Sequence, residues 1–376
     1  MKTNRIAVSI FFLINGFLYA NWISRLPEIQ QFYGISNSLL GTLLLCSAAG
    51  AIVAMPFSGL LTVRFGSRTL TAAMGITFCL VVPLLPLFTN LWIVGALFFF
   101  IGILTGALDV SMNGQAVYVE RMFEKPIMSS FHAVFSIGMA LGAGSGALFA
   151  KFQIGLFPHF LTGAILCLLL VLWAAFNLVN ESMNEAANAD GGSGFRLPTK
   201  AILPLGIIAF CGMTGEGSMA DWSAIYMNKV VGMDEAFSAL AFGSFSTAMT
   251  IGRIFGDYFT ARLGRANMLL LDTFAAILGL SGMLLFPNPY IVLIALFIIG
   301  LGLATVVPII YSAAGNTPGV APSVGIAMAT TVGYAGFFVG PPTIGYLADA
   351  FSLRIGLVFS LILFIVMLIL IRRVKI

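Results

Sequence analysis

Long apolar runs follow one another along this 376-residue chain and are separated by short stretches that contain Gly, Pro, Asn or charged residues. Each run has roughly 20 residues, the length that an α-helix needs to cross the ~30 Å hydrocarbon layer of a membrane. The pattern predicts twelve membrane-spanning helices. They lie near residues 6–27, 37–62, 69–88, 91–118, 128–150, 158–179, 202–227, 236–260, 267–286, 289–312, 322–347 and 354–371.

One connector is clearly polar. It covers residues 181–200 and reads "ESMNEAANADGGSGFRLPTK", a composition rich in Gly, Asn and Ser that is typical of a flexible linker. Six predicted spans precede it and six follow it. We therefore predict an all-α membrane protein with a six-helix bundle at 1–180, a cytoplasmic linker at 181–200 and a second six-helix bundle at 201–376.

The two halves repeat each other. "YANWISRL" from Tyr19 and "MADWSAIY" from Met219 both carry Ala-polar-Trp inside an apolar run. The loop "VRFGSR" after span 2 matches "ARLGRA" after span 8, and the step from Gly66 to Gly264 is 264 − 66 = 198 residues. A repeat of six spans enters the membrane from the same side each time. The pattern thus predicts two pseudo-symmetric, parallel bundles.

Composition restricts the class of protein further. The chain is 60% hydrophobic and only 9% charged, with a mean hydropathy of +1.04, which leaves no room for a sizeable soluble domain. The four cysteines lie in apolar runs without metal-ligand spacing. The expected partners are the lipid bilayer and a small-molecule substrate. We expect no nucleic-acid partner, metal or organic cofactor, and a protein that functions as a monomer.

Charge sets the expected orientation. Most of the 18 Lys and Arg residues fall in loops on the same side as the N-terminus, including Lys2, Arg5, Arg121, Arg372 and Arg373. Positive loops face the cytoplasm. We therefore expect a multi-pass protein of the cell (inner or plasma) membrane with both termini cytoplasmic.

The loop after span 2 carries a family resemblance. "GLLTVRFGSR", residues 59–68, resembles the signature Gly-x-x-x-Asp-Arg-x-Gly-Arg-Arg of the major facilitator superfamily, with Val63 in place of the acid. In the second copy, Asp257 lies one turn before Ala261. The resemblance implies a transporter that works by alternating access. It implies gating or structural roles for the basic residues of the two loops, Arg64, Arg68, Arg262 and Arg265.

A narrower likeness concerns span 4. "GALDVSMNG" is similar to the Gly-Ala-Leu-acid segment of fucose-permease-like sugar/proton symporters. In that family, the carboxylate of span 4 faces the cavity and takes part in proton-coupled sugar binding, which would correspond to Asp109. The family's span 1 aspartate falls near Asn21 or Trp22, and this chain has no carboxylate in span 1 before Glu28.

Ionisable residues inside spans are the candidates for proton coupling, because each costs at least ~2.5–3.5 kcal/mol at the bilayer centre. Asp109 has Asn113 on its face at i+4. A short loop joins spans 4 and 5, so His132 is expected to approach Asp109. Its imidazole has an ordinary pKa near 6.5, which suits proton handling. Glu216 lies in mid-span 7 between two glycines. The alternative for all three is a structural role in helix packing.

Four further residues form pairs related by the repeat: Asn21 with Trp22, and Asp221 with Trp222. Together with Asn113 they are predicted to bind the substrate, the indoles stacking on a ring or sugar. The alternative is an interfacial aromatic belt.

Charged residues near span ends are predicted to gate the transporter or to hold its structure. Arg25 and Glu28 are expected to form an ion pair at the outer rim. Arg253 and Asp257, at i and i+4 on span 8, are expected to join Asp272 of span 9 in an ion network that locks helix ends.

The function that fits these features is secondary transport of a small polar organic solute, sugar-like or another metabolite, driven by a proton gradient. No Gly-rich phosphate-binding loop is present in the sequence. Two alternatives are an exporter of drugs or metabolites and a non-transporting receptor or scaffold. An enzyme is not expected, since the chain has two histidines and neither HExxH nor GxSxG.

Overall fold

A computed structural model of the chain describes residues 1–35, 37–180, 198–233 and 235–374. All regular secondary structure in these residues is helical. The helices are α1 (Lys2–Ile23), α2 (Leu26–Tyr33), α3 (Asn37–Phe65), α4 (Ser67–Val81), the 3₁₀-helix η1 (Val82–Leu87), α5 (Leu91–Phe123), α6 (Met128–Lys151), α7 (Leu156–Phe176), α8 (Leu203–Lys229), α9 (Glu235–Leu263), α10 (Arg265–Leu285), α11 (Pro289–Leu303), α12 (Val306–Gly315), α13 (Pro322–Ala350) and α14 (Leu353–Ile371).

The predicted all-α fold is confirmed, and each predicted span coincides with one helix or with two consecutive ones. Span 3 consists of α4 and η1, and span 10 consists of α11 and α12. In the described residues, ten such segments are long and apolar enough to cross a membrane. The other two long helices are α8, with 27 residues, and α9, with 29. The count of twelve crossings stays a prediction, and most of the predicted linker lies outside the described residues.

The chain forms two compact units. The first unit contains Met1–Glu124, α6 from Phe131 onward with α7, and Gly315–Ala327. The second unit contains Lys125–Ser130, Pro198–Ala314 and the chain from Met328 onward. The start of α6 thus packs in the second unit and the start of α13 packs in the first, which the predicted division at the linker did not include.

The sequence repeat has a counterpart in backbone geometry. Gly66 precedes α4 with φ 83° and ψ 147°, and Gly264 precedes α10 with φ 78° and ψ 156°. These positive φ values favour glycine. Asn90 caps α5 and Asn288 caps α11, each accepting a hydrogen bond from the backbone N–H two residues later. The two glycines are 198 residues apart, as are the two asparagines, so the repeat includes turn geometry and helix capping.

Helix packing repeats at the same interval. A Cβ at Gly102 would lie 1.9 Å from the carbonyl oxygen of Ser47, and a Cβ at Gly300 would lie 2.4 Å from that of Phe245. Helix α5 therefore contacts α3 backbone to backbone, as α11 contacts α9. Each partner residue is again 198 positions from its counterpart, which supports the predicted duplication.

Small residues also hold α6 against α1. Gly138 and Gly142 are one turn apart, and a Cβ at either would lie 2.1 or 2.3 Å from the carbonyl oxygen of Leu13 or Phe17. This contact confirms the close packing that glycines at four-residue spacing predict in a membrane. It fixes α6, and with it His132, against the core of the first unit.

Candidate functional site

Three of the predicted residues form one hydrogen-bonded chain in the first unit. Asp109 and Asn113 share a face of α5, and the Asn113 amide nitrogen donates to Asp109 Oδ1 (3.1 Å) and to its carbonyl oxygen (2.8 Å). The Asn113 amide oxygen lies 3.2 Å from His132 Nε2 on α6, within hydrogen-bond distance of that nitrogen when it is protonated. Asn113 and His132 are buried and Asp109 is half-buried. The structure thus brings Asp109 and His132 together through an amide.

Helix α1 covers this chain. The ring of Phe12 meets the imidazole of His132 edge-on, with 5.3 Å between centroids. Asn15 is buried beside it and donates to Met112 Sδ at 3.8 Å. An amide orients its neighbours but does not take up a proton at ordinary pH. Asp109 and His132 are therefore separate titratable groups whose positions depend on each other through Asn113.

In the second unit, Glu216 of α8 pairs with Arg253 of α9. The Glu216 Oε1 to Arg253 Nη2 distance is 3.2 Å, and the side chains are 27% and 12% exposed. The sequence pattern predicts a role in proton coupling for Glu216 and a gating role, together with Asp257, for Arg253. The pair instead joins a predicted proton carrier to a predicted gating residue, and each ion compensates the other's charge within the apolar helices.

The glycines on either side of Glu216 accommodate aromatic rings. A Cβ at Gly215 would lie 2.3 Å from the ring of Phe364 on α14, and a Cβ at Gly217 would lie 2.9 Å from the ring of Phe337 on α13. The sequence suggested that these glycines let a backbone or a ligand approach. The structure fills both places with side chains, which hold the backbone of Glu216 in position.

Trp22, which is predicted to bind the substrate, has a buried side chain. Trp22 is 1% exposed and packs edge-on against Phe98 and Tyr19, with centroid distances of 5.4 and 5.7 Å. A solute would reach this indole only after rearrangement of the first unit. Its role in binding stays a prediction.

Asn21 is fully buried as well. Its amide nitrogen donates to Ser145 Oγ (3.0 Å) and lies 2.9 Å from His159 Nε2. His159 is absent from the predicted site residues, although a single histidine in an apolar run is a signal that the sequence offers. Its partner could not be identified from sequence, because Asn21 lies 138 positions away.

The repeat-related pair on α8 has a different environment. Asp221 is exposed, and Trp222 is half-buried. The Trp222 ring lies 3.6 Å from the Cβ position of Gly345 on α13. Sequence equivalence therefore does not give Trp22 and Trp222 the same accessibility, and of the two only Trp222 has appreciable exposure in this conformation.

Arg25 occupies the end of α1 as predicted, in an ion pair with Glu28. It also donates to the carbonyl oxygen of Ile154 (2.9 Å), and its guanidinium lies 3.5 Å from His159 Nδ1. Arg25 is buried although Glu28 is exposed. The predicted ion pair therefore also ties α1 to the start of α7.

Two arginines of the repeated loops bind neighbouring helices. Arg68 donates to the carbonyl oxygens of Ala175 (3.3 Å) and Phe176 (3.1 Å) at the end of α7. Arg265 donates to Ser312 Oγ of α12 at 2.7 Å. A cation at the C-terminus of a helix satisfies its last carbonyl groups. These contacts support a structural role for both residues.

The other two loop arginines stack on aromatic rings. Arg262 lies over the ring of Tyr258 at 4.4 Å, and Arg64 lies over that of Phe65 at 5.3 Å. Both arginines are exposed. Their contacts lie within one helix and connect no two elements.

Asp257 caps the start of α6. Its two carboxylate oxygens accept hydrogen bonds from the backbone N–H groups of Ser129 (2.8 Å) and Ser130 (2.7 Å). The first N–H groups of a helix have no partner within it, and a carboxylate there is favoured by both hydrogen bonding and the helix dipole. The ion network that the sequence pattern predicts at Asp257 is not what forms there. The structure shows a helix cap, formed with a segment that lies 127 positions away.

The fold resembles solved transporters. The crystal structure of FucP in the outward conformation aligns with a TM-score of 0.78 and 16% identity, covering 98% of this chain and 97% of that chain. The proton:xylose symporter XylE, bound to 6-bromo-6-deoxy-D-glucose, aligns with a TM-score of 0.81 and 12% identity, covering 99% and 95%. At these identities the similarity establishes the fold.

Sequence comparison identifies the family. An uncharacterized MFS-type transporter of Yersinia pestis is 32% identical over 354 residues, 94% of this chain and 91% of that protein. Membrane protein MosC of Rhizobium meliloti is 29% identical over 354 residues, 94% of this chain and 86% of that protein. A model of the Major Facilitator Superfamily matches residues 8–341. This chain therefore belongs to the Major Facilitator Superfamily of membrane transporters.

Proposed function

We propose that this transporter moves a small polar organic solute by alternating access and couples its movement to protons. The observation that carries the proposal is the chain of Asp109, Asn113 and His132 in the first unit. It combines two groups that can exchange protons with an amide that can hydrogen-bond a hydroxyl-bearing solute. Solute binding at Asn113 would change the hydrogen bonds of both neighbours, which is the link that coupling requires.

Polar cargo is favoured over apolar drugs by the same residues. A carboxylate, an amide and an imidazole in contact are costly to bury unless their hydrogen bonds are satisfied. A sugar-like solute can exchange hydrogen bonds with these groups, whereas an apolar drug offers no donor or acceptor. The fold neighbours support this direction, because FucP is described as a fucose:proton symporter and XylE as a proton:xylose symporter.

The remaining features of the proposal follow from charge. A proton gradient supplies the energy, with Asp109, His132 and Glu216 as the groups that exchange protons. The distribution of Lys and Arg supports a cell-membrane protein with both termini cytoplasmic. One chain of two units is sufficient for alternating access.

The test has two stages. Purified protein is first screened with a panel of sugars, sugar acids, nucleosides and amino acids for thermal stabilisation at acid and neutral pH. The stabilising solute is then supplied to proteoliposomes that carry a pH gradient, and its accumulation is measured. We expect Asp109→Asn to abolish gradient-driven accumulation, because an amide cannot carry the proton, while solute exchange without a gradient continues.

The matched control is Asp349→Asn, which changes an exposed acid at the end of α13. It should transport as the unchanged protein does. Full gradient-driven accumulation by Asp109→Asn would remove Asp109 from the mechanism. If no member of the panel is taken up by protein that it stabilises, the chain is a receptor and the proposal of transport fails.

A further inference from the structure

Asp272 is a buried acid in the second unit, and its hydrogen-bond partner is a neutral hydroxyl group. Asp272 is the eighth residue of α10, about 10 Å along the helix from its start. Its side chain is 3% exposed. Its carboxylate accepts a hydrogen bond from the hydroxyl of Thr305, in the break between α11 and α12. In the described residues Asp272 takes part in no ion pair.

The charged and titratable groups on the helices packed around Asp272 have other partners. Arg253 donates to Glu216, Arg262 stacks on Tyr258, and Asp257 caps α6. Arg265, on the same helix as Asp272, donates to Ser312. Among the side chains that the structure describes, the remaining such groups are Tyr258 on α9, Tyr290 and Tyr311 on α11 and α12, and Arg354 of α14, which lies beside the Tyr226 hydroxyl. None of these cations forms an ion pair with Asp272.

The carboxylates of Glu216 and Asp272 therefore differ in the kind of partner that each one has. Glu216 faces a guanidinium at 3.2 Å, so its ionised form has a partner. Asp272 faces a hydroxyl in a segment with little contact with water, where an isolated charge is far more costly than a neutral acid. We infer that Asp272 is a proton-binding site, and that it, rather than Glu216, holds the transported proton in the second unit. This inference rests on the proposed proton coupling and changes the residue assigned to it.

The site is mechanically connected to the helix cap at Asp257. A Cβ at Gly256 would lie 2.5 Å from the Thr305 methyl group and 3.0 Å from Ser129 Oγ. The Thr305 hydroxyl therefore contacts Asp272. The Thr305 methyl group packs beside Gly256, the residue that precedes Asp257. Loss of the proton from Asp272 gives a carboxylate and a proton released to water. Hydration of that carboxylate would require Thr305 to move, and with it the packing at the start of α6.

Infrared spectroscopy can detect the proton directly. The C=O stretch of a protonated carboxylic acid is separate from the bands of carboxylates. We expect purified protein at neutral pH to show such a band, Asp272→Asn to lose that band, and Glu216→Gln and Asp349→Asn to retain it. A band that survives in Asp272→Asn, or disappears in Glu216→Gln instead, overturns the inference.

A second variant keeps this test decisive if Asp272→Asn does not fold. Thr305→Val removes the hydroxyl that donates to Asp272 and nearly preserves the side-chain shape. The carboxylic band should move to higher frequency, because it loses a hydrogen-bond partner. A band at an unchanged position in this variant would show that the protonated acid lies elsewhere.

Transport measurements distinguish a failure of this inference from a failure of the proposed function. With a gradient of one pH unit, each coupled proton supports about a tenfold accumulation ratio. Using the solute found in the panel screen, Asp272→Asn should lower the accumulation ratio by about tenfold, and Glu216→Gln by less. If only Asp109→Asn lowers accumulation, the inference about Asp272 fails and the proposed function stands. If none of Asp109→Asn, Glu216→Gln and Asp272→Asn lowers it, proton coupling fails as a whole.

Discussion

The two copies of the repeated loop make the same kind of contact with different chemistry. Gly59 and Asp257 are equivalent positions, since 257 − 59 = 198. In the first unit, a Cβ at Gly59 would lie 3.0 Å from Ala327 Cβ and 3.3 Å from Val324 Cα, near the start of α13. In the second unit, Asp257 receives two backbone hydrogen bonds from the start of α6.

This difference shows what a duplication preserves. Each copy places the end of a long helix against the beginning of another, and that geometry is shared. The first copy achieves it by close apolar packing, which requires the absence of a side chain. The second achieves it by charge-assisted hydrogen bonds, which require a carboxylate. We therefore expect the first contact to respond to side-chain volume and the second to loss of charge.

The largest effect is expected for Asp257→Ala. The variant leaves the N–H groups of Ser129 and Ser130 without their acceptor. Each of these two N–H groups costs about 1–3 kcal/mol when it loses its acceptor, so unfolding should become easier by about 2–6 kcal/mol. Equilibrium unfolding in mixed detergent measures this free energy. Asp257→Asn, which retains one amide oxygen as acceptor, should lose about half as much, about 1–3 kcal/mol.

The control for Asp257→Ala is Asp349→Ala, which removes an exposed carboxylate. Its unfolding free energy should change by less than about 0.5 kcal/mol. Equal losses in the Asp257 and Asp349 variants would contradict the view that the cap of α6 contributes to stability.

The sequence predicted the helices and the repeat well, because both depend on local patterns. Apolar runs determine where spans lie, and glycine or asparagine at a 198-residue interval determines turns and caps. The approach of His132 to Asp109 was also predictable. Residues at i and i+4 share a helix face, and the loop between α5 and α6 is short.

Contacts between distant helices were not predictable in the same way. Glu216 and Arg253 are 37 positions apart, and Asp272 and Thr305 are 33 apart. A helical pattern gives the face on which a side chain lies. It does not give the relative height of two helices or which neighbour a face meets. For this reason Arg253 was grouped with Asp257 on its own helix, although Glu216 of α8 is a partner.

The next largest effect is expected when side-chain volume is added at Gly59, in the first copy of the repeated loop. Gly59→Val adds a branched side chain where even a Cβ is within 3.0 Å of Ala327. The start of α13 must move, and such overpacking costs about 1–3 kcal/mol of unfolding free energy. Gly243→Val is the matched control, since a Cβ at Gly243 on α9 meets nothing within 4 Å. A similar loss in both variants would indicate that the cost comes from valine in a helix and not from the contact with α13.

The smallest effect is expected for Arg64 and Arg262, the arginines that follow Gly59 and Asp257 in the two copies of the loop. Arg262 stacks on Tyr258 one turn earlier at 4.4 Å, whereas Arg64 stacks on its sequence neighbour Phe65 at 5.3 Å. An exposed cation–π contact contributes about 0.5–1 kcal/mol, and the contribution should fall with distance. A double-mutant cycle of Arg262→Ala with Tyr258→Leu should therefore give a larger coupling energy than the cycle of Arg64→Ala with Phe65→Leu. Equal couplings in the two cycles would contradict the expected fall of the cation–π contribution with distance.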